Sequence, residues 1–263
     1  MKLCWLHPTT QNEDLDALWR KLEDTVRPVL MPETQLEFRF LERSGNYTRS
    51  LYAEHLNSVF LVEAALRAQD DGFDGVYFGC WNDPLWEARE VLEIPVGSVG
   101  EQSMLASLSI GKRFAVVTVS EKTVCAIEND LNAYGLGGRA IARPVRSIMP
   151  ESDTGLLRES VDDPHRRFIP RLEEIAMECI RDGAEVILVG CAYYGSLLRA
   201  AGYREVPGTG VPVLDSSSIS LKYLETMSDL ARTIGIVKSS RQYLKTPPRE
   251  ILDRARKSLG LIP

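Results

Sequence analysis

The chain has 263 residues, of which 44% are hydrophobic and 26% are charged, and its formal net charge is −6. This composition is typical of a globular protein, and the length is enough for one large domain or two small ones. A general nucleic-acid binder or a protein of acidic membrane surfaces needs a basic face, which an acidic chain does not favour. We therefore expect a small-molecule partner.

Targeting and metal-binding patterns are absent from the sequence. No apolar run approaches the roughly 20 residues that cross a bilayer, and the beginning, MKLCWLHPTTQNEDLD, becomes acidic before a signal-peptide core could form. We expect a cytoplasmic protein. The five cysteines are widely spaced without a CxxC pair, and the chain has only three histidines. A disulfide framework or a zinc site is therefore not expected.

Short β-forming apolar runs alternate along the chain with longer segments of helical periodicity. In chain order, strands are predicted at KLCWLH, LEFRFL, GVYFGC, RFAVVTV, GRAIARPV, EVILVGC and VPVLD. Helices are predicted over residues 11–27, 53–70, 84–92, 121–133, 166–182, 194–202 and 216–231. This alternation predicts an α/β fold built from βαβ units around parallel sheets.

The series of elements nearly repeats itself. DGFDGVYFGC and DGAEVILVGC both have the pattern of a helix end, a glycine turn, a buried strand and then Gly-Cys. EQSMLASLSIGKR has the pattern of a connecting helix followed by a new strand, and PGTGVP suggests a return crossing near 207–212. We predict two related subdomains, the first from residues 1–99 plus 208–263 with the C-terminal tail, and the second from residues 100–207.

Two segments are less regular. RSIMPESDTGLLRESVDDPHRR, residues 146–167, combines turn formers and charges without a sustained period, so we predict a long excursion or lid over residues 147–168. After residue 232, Pro247 and Pro248 fit the start of a short terminal helix. We expect this tail to pack on its own subunit, with a neighbouring subunit as the alternative.

The two Gly-Cys pairs end predicted parallel strands, where open α/β sheets bind their ligands. A cysteine in a strand or helix is more often a small core residue, and we apply that interpretation to Cys4, Cys125 and Cys179. The matched placement of Cys80 and Cys191 favours a chemical role instead. Each is expected to precede a helix whose N-terminal amides would favour an anion and lower the pKa of the thiol.

Two thiols that face each other across a cleft suit proton transfer at a carbon acid. One thiolate would remove a proton from one face, and the opposite thiol would return a proton to the other face, so that the stereocentre inverts. Amides and hydroxyls around a carbonyl or carboxylate would stabilise the carbanion. No metal or organic cofactor is required for this chemistry.

These residues resemble the cofactor-independent aspartate/glutamate/hydantoin racemase superfamily, most closely its hydantoin racemase branch. The resemblance runs from residue 1 to about 231 and is most specific in DGVYFGCWNDPLWEAREVLEIPVGSVGEQSMLAS, with VILVGCAYY and VPVLD as further anchors. It implies two pseudo-symmetric parallel-sheet α/β subdomains with the active site in the cleft between them. It also implies that Cys80 and Cys191 are the acid and base.

The resemblance further implies which residues contact the substrate. LHPTT occupies the position of the family's opening Asn-Pro-Asn-Thr, and RFAVVTV resembles the strand whose end binds substrate polar groups. For Thr9 and Thr118 the alternative role is helix capping, and for Asn82 it is stabilisation of a turn. The implied contacts are Pro8, Thr9, Trp81, Asn82, Thr118, Val119, Ala192 and Tyr193.

The chain departs from the family around the reacting carbon. Trp81 and Asn82 stand where Phe-Gly is usual, and Tyr193 and Tyr194 stand where many members have Gly-Met. Both asparagines of the opening motif are also replaced. These differences leave the substrate open among 5-substituted hydantoins, allantoin and other amino-acid derivatives.

Other functions remain as alternatives at this stage. An arylmalonate-type decarboxylase relies on a single cysteine, which the pair disfavours, whereas a maleate-type cis-trans isomerase can carry cysteines at both sites. A non-catalytic binding protein could have kept the cleft without a need for the thiols. The expected partners are a small molecule with a carbonyl or carboxylate and further copies of the chain in a homo-oligomer.

Overall fold

The computed structural model of the protein describes residues 1–81 and 84–263, and within them the chain forms nine strands and ten α-helices. The strands are β1 (Lys2–His7), β2 (Gln35–Phe40), β3 (Gly75–Phe78), β4 (Val96–Ser98), β5 (Phe114–Thr118), β6 (Ala140–Ser147), β7 (Val186–Val189), β8 (Glu205–Val206) and β9 (Val211–Leu214). The helices are α1 (Asp16–Val26), α2 (Leu51–Asp70), α3 (Leu85–Val91), α4 (Val99–Ser107), α5 (Glu121–Ala133), α6 (Thr154–Asp162), α7 (Phe168–Arg181), α8 (Ala192–Ala200), α9 (Ser216–Ile234) and α10 (Arg249–Ser258).

The strands form two sheets with matching order, β2-β1-β3-β4 and β6-β5-β7-β9-β8. All neighbouring strands are parallel except β8 and β9. The first four strands of the second sheet therefore repeat the order of the first. β3 and β7 are buried along their whole length, as expected for sheets that are covered on both faces. The predicted α/β class with two pseudo-symmetric sheets is confirmed.

Polar residues at helix ends explain where several helices begin and end. The side chains of Ser50, Ser120 and Asp215 accept backbone N–H groups of the first turns of α2, α5 and α9, which satisfies donors that lack a partner within the helix. α9 ends at Ile234 and is capped by the next residue, Gly235, whose φ of 73° suits glycine. In the described ranges, no helix is long and apolar enough to cross a membrane.

A shared hydrophobic core joins the two halves. One cluster contains Trp5 and Tyr77 from the first sheet, Val116 and Leu188 from the second, and Leu221 from α9. Each of these side chains is completely buried. The sheets are therefore held together by continuous apolar packing as well as by connecting segments.

The chain returns to the first half later than predicted. β9 pairs with β7 in the second sheet, whereas the sequence analysis places residues 208–214 in the first subdomain. The PGTGVP segment forms an antiparallel turn between β8 and β9, with φ values of 73° at Gly208 and 70° at Gly210. α9 then packs against β3, β4 and α4, so the crossing follows β9. The predicted boundary between the subdomains near residue 100 stays a prediction.

The segment 147–168 contains the helix α6, where the sequence analysis predicts an irregular excursion or lid. The side chain of Asp153 accepts the backbone N–H of Leu156 at 2.7 Å and caps this helix. Nine residues are too few to show a sustained helical period, which explains why the pattern did not predict it.

The C-terminal tail packs on its own chain. α10 begins directly after Pro248, as predicted. The guanidinium of Arg256 donates two hydrogen bonds of 2.8 Å to the carboxylate of Glu63 on α2. Lys238 donates to the backbone carbonyls of Arg89 and Glu90. These contacts hold the tail against α2 and α3 of the first half.

Candidate active site

Glycines place the two cysteines at corresponding points of the two sheets. The backbone N–H groups of Gly79 and Gly190 each donate a hydrogen bond of 2.9 Å to a carbonyl of the adjacent strand, so each sheet continues through its glycine. A Cβ added to Gly190 would lie 2.8 Å from the Cβ of Thr118, and one added to Gly79 would overlap the indole of Trp5. Only glycine fits these close approaches. The following residue, a cysteine in both cases, therefore stands just past the strand end.

Cys80 lines a small pocket together with the loop after β2 and the first turns of α2. The pocket encloses about 10 Å³, which is about the space of one water molecule. It can therefore accept a single ligand atom. Its lining residues are Pro8, Thr48, Glu54, Asn57, Ser58, Leu61 and Cys80.

Cys191 occupies the N-cap position of α8. Burial raises the pKa of its thiol, while the backbone N–H groups of Tyr194 and Tyr193 and the positive charge of Arg49 act in the opposite direction. The net shift is upward, so the predicted lowering of this pKa is wrong: desolvation outweighs the amides at the helix start. Cys191 is therefore a protonated thiol at neutral pH.

One loop, residues 41–50, adjoins the surroundings of both cysteines. Thr48 lines the pocket of Cys80, and the charge of the next residue, Arg49, acts on the thiol of Cys191. The guanidinium of Arg49 also donates to the backbone carbonyl of Ser152 in the second half. The loop therefore lines the pocket of Cys80 at Thr48 and places the charge of Arg49 near enough to act on Cys191.

Pro8 and Thr9 follow the end of β1, and Pro8 lies beside Cys80. Pro8 lines the small pocket, and its carbonyl accepts the hydroxyl of Ser44 at 2.8 Å. The carbonyl of Thr9 accepts the backbone N–H of Leu41 at 3.0 Å, while its buried Oγ1 has no partner within the described ranges. Pro8 therefore lies beside Cys80 with Thr9 next to it in the chain, and the binding role of both residues stays a prediction.

Thr118 is fully buried, so the structure places its hydroxyl inside the protein. Its Oγ1 donates to the carbonyl of Gly190 at 3.0 Å and lies 2.9 Å from the hydroxyl of Thr123. Thr118 therefore supports the strand end that precedes Cys191, while Ser120 caps α5. The predicted contacts Val119 and Ala192 are also buried core residues.

The aromatic residues after the two cysteines pack inward. Trp81 is 3% exposed, and its indole lies so close to Gly100 that a Cβ there would be 2.8 Å from Nε1. The phenol oxygen of Tyr193 accepts the indole N–H of Trp19 at 3.4 Å, which links α8 to α1. Asn82, the remaining predicted contact, lies outside the described residues.

Asn57 was not singled out by the sequence analysis, although it is buried beside Cys80. It is 2% exposed and lines the small pocket. A sequence signal does exist: a lone amide in the apolar helix HLNSVFLVEAAL. Buried polar side chains require an explanation because leaving them unpaired costs free energy.

Comparison with known proteins identifies the family. A sequence model described as Asp/Glu/Hydantoin racemase matches residues 16–224. The chain belongs to this family. It is accordingly an isomerase of the racemase type that acts on small molecules.

Individual relatives extend over nearly the whole chain. A hydantoin racemase of Pseudomonas sp. (strain NS671) is 27% identical over 243 residues, which cover 91% of this chain and 90% of that protein. Among solved structures, allantoin racemase from Klebsiella pneumoniae has a TM-score of 0.75 at 21% identity and covers 95% of this chain and 94% of its own. Allantoin racemase from Pseudomonas fluorescens has a TM-score of 0.76 at 23% identity, with coverages of 95% and 98%. These two structures show the shared fold.

Proposed function

We propose that the protein is a cofactor-independent racemase of 5-substituted hydantoins, including allantoin, that uses Cys80 and Cys191 as its acid and base. The observation that carries the proposal is the matched pair of cysteines at the ends of β3 and β7, each placed by a glycine that has no room for a side chain. The relatives named hydantoin racemase and allantoin racemase support the substrate class. Allantoin is itself a hydantoin with a ureido group on C5.

The proposed reaction is a proton exchange at C5 of the ring. A thiolate removes the C5 proton, and the electron pair of the C–H bond moves into the adjacent carbonyl to form an enolate. The opposite thiol then delivers its proton to the other face as the enolate electrons return to C5. The substrate keeps its composition, and the two cysteines finish with exchanged protonation states, which are the states needed for the reverse reaction.

The raised pKa of Cys191 supports one assignment of the acid and base roles. Because burial raises the pKa of this thiol, it enters the reaction carrying a proton. This direction favours Cys191 as the acid, which in a two-cysteine reaction leaves the role of base to Cys80.

The surroundings of Cys80 favour a neutral substrate. The carboxylate side chain of Glu54 lines the same pocket as Cys80. An amino-acid carboxylate placed there would meet a like charge as soon as it binds, whereas a ring amide binds uncharged and develops negative charge only in the enolate. This argues for a hydantoin over aspartate or glutamate.

Proton NMR in heavy water with single enantiomers of 5-substituted hydantoins tests the proposal. The wild type should introduce deuterium at C5 together with inversion, at a rate well above the spontaneous exchange measured without protein. Cys80→Ser and Cys191→Ser should each lower the rate of inversion by about 10²-fold or more, since each removes one proton-transfer group. Cys125→Ser is the matched control, because this thiol is exposed on α5. Wild-type protein that exchanges no hydantoin, allantoin included, would refute the proposed function.

A further inference from the structure

We infer that the side-chain amide of Asn57 donates a hydrogen bond to the substrate carbonyl oxygen next to the reacting carbon, on the Cys80 side of the site. The inference rests on the proposed function and names the group that stabilises the enolate in it. It also narrows the substrate class to compounds that present a ring amide at this position.

The orientation of the amide follows from its neighbours. The Oδ1 atom of Asn57 accepts the backbone N–H of Gly45 at 2.8 Å and lies 3.2 Å from the hydroxyl of Ser44. A reversed amide would set two N–H groups against each other at Gly45, so the backbone donor determines which end carries the oxygen. The Nδ2 group must then point away from the loop.

That Nδ2 group is buried and has no hydrogen-bond partner in residues 1–81 and 84–263. A buried donor left unpaired costs about 1–3 kcal/mol. A ligand oxygen that reached Asn57 would remove this cost. The gain would be largest when the oxygen carries the negative charge of an enolate, because hydrogen bonds to charged oxygen are the stronger ones.

The dimensions of the pocket fit this role. Asn57 and Cys80 line the same space of about 10 Å³, which admits one oxygen atom and excludes a ring. The ring itself would remain outside the pocket, with C5 between the two thiols. A carbonyl oxygen inserted here would place the carbon next to it within reach of the Cys80 side of the site.

A second side chain of the pocket complements the amide. Glu54 precedes Asn57 by three residues on α2, a spacing that puts both on one helix face. A cyclic amide presents a carbonyl oxygen and an N–H side by side on the same edge. Asn57 can donate to the oxygen and the Glu54 carboxylate can accept the N–H, which selects a ring amide over a free carboxylate.

The variant Asn57→Asp separates the donor from the structural role of this side chain. Aspartate keeps an oxygen for Gly45 and Ser44 but cannot donate to the substrate while it is ionised. We expect kcat to fall by about 10²–10³-fold, with a smaller effect on KM, because the lost interaction is strongest in the transition state. The variant Ser44→Ala removes the hydroxyl shared by Oδ1 and the Pro8 carbonyl and leaves the Asn57 donor in place, so its kcat should stay within about threefold of wild type.

The pH dependence distinguishes loss of the donor from a simple charge effect. A new carboxylate beside Cys80 would shift the rising limb of the pH–rate profile to higher pH, and full activity would return there. Loss of the donor lowers the plateau at every pH. Wild-type kcat in Asn57→Asp, or full recovery at high pH, would overturn the inference while leaving the proposed function intact. A wild type without racemase activity would overturn both.

A substrate change tests the same contact in the wild-type protein, independently of how the variants fold. In a 5-substituted 4-thiohydantoin, sulfur replaces the oxygen beside C5, accepts hydrogen bonds weakly and is too large for the pocket. We expect kcat/KM to fall at least about tenfold relative to the hydantoin, even though the thiocarbonyl makes the C5 proton more acidic. Equal or faster turnover of the thio compound would contradict the assigned role of Asn57.

Discussion

The histidine at the end of β1 allows a quantitative prediction of how stability depends on pH. His7 is completely buried, its ring is stacked on that of Phe40 with centroids 4.5 Å apart, and Trp19 and Phe38 lie close by. Neither ring nitrogen has a hydrogen-bond partner within the described part of the chain. The informative perturbation is His7→Phe, which keeps a flat ring in an aromatic environment and removes the titrating group.

The magnitude follows from the pKa of this imidazole. Burial lowers the pKa of His7 from 6.5 to about 3, since desolvation disfavours the charged ring. Below pH 6.5 the unfolded chain therefore binds a proton at His7 that the folded protein does not. The contribution of neutral His7 to the free energy of unfolding is complete above pH 6.5, and it decreases by about 1.36 kcal/mol per pH unit as the pH falls toward 3. Between pH 7 and pH 5 this residue should lower the free energy of unfolding by about 2 kcal/mol.

Urea denaturation at pH 7 and pH 5 measures this effect. The free energy of unfolding of His7→Phe should fall between the two pH values by about 2 kcal/mol less than that of wild type. His55→Gln, which changes an exposed histidine on α2, should keep the wild-type difference. Equal pH sensitivity of wild type and His7→Phe would refute the argument that burial keeps His7 neutral.

Three further predictions concern packing, titration and the tail. Gly190→Ala should lower the free energy of unfolding, measured in urea, by about 1–3 kcal/mol because its methyl group would overpack the core. Gly138→Ala, whose added Cβ meets no atom within 4 Å, should match wild type. Equal stability of the two variants would contradict the close fit at Gly190. Burial raises the pKa of Cys4 from 9.0 to about 12. The free energy of unfolding of wild type should therefore fall by about 2 kcal/mol more than that of Cys4→Ala between pH 8 and 10.5. Identical decreases of the two proteins in urea denaturation would be inconsistent with this. Arg256→Ala should speed proteolysis of the segment before α10, because it breaks the ion pair to α2, while the exposed control Arg254→Ala should be cleaved like wild type; unchanged cleavage of Arg256→Ala would argue that other contacts hold the tail.

The sequence predicts the central elements of the fold well because both faces of each sheet are covered. β3 and β7 are therefore continuous apolar runs, and the turns and caps beside them are marked by glycine and by polar residues. Which of the two sheets contains β9 is not predicted correctly. Gly208 and Gly210 indicate a reversal of the chain, but a local turn pattern does not specify which sheet receives the following strand. That choice depends on packing against β7 and α9.

The candidate site is predictable only in part for a similar reason. The repeated Gly-Cys pattern points to Cys80 and Cys191 because the pattern itself places them after strands. Whether the side chain of Thr118 or Trp81 faces a cleft or the core depends on neighbours that are distant in sequence. Asn57 is harder still, because its free donor becomes apparent only once the loop of residues 41–50 is seen to occupy the amide oxygen.

The two thiols have unequal surroundings, one at the start of α8 and the other in a pocket with a carboxylate. For a racemase acting on a single stereocentre, this asymmetry has a thermodynamic limit. Mirror-image substrates have equal free energies, so the ratio of kcat/KM in the two directions must equal one at every pH. An asymmetric site can therefore differ between enantiomers only in how kcat/KM divides into kcat and KM. The enantiomer with the lower KM must also have the lower kcat, by the same factor.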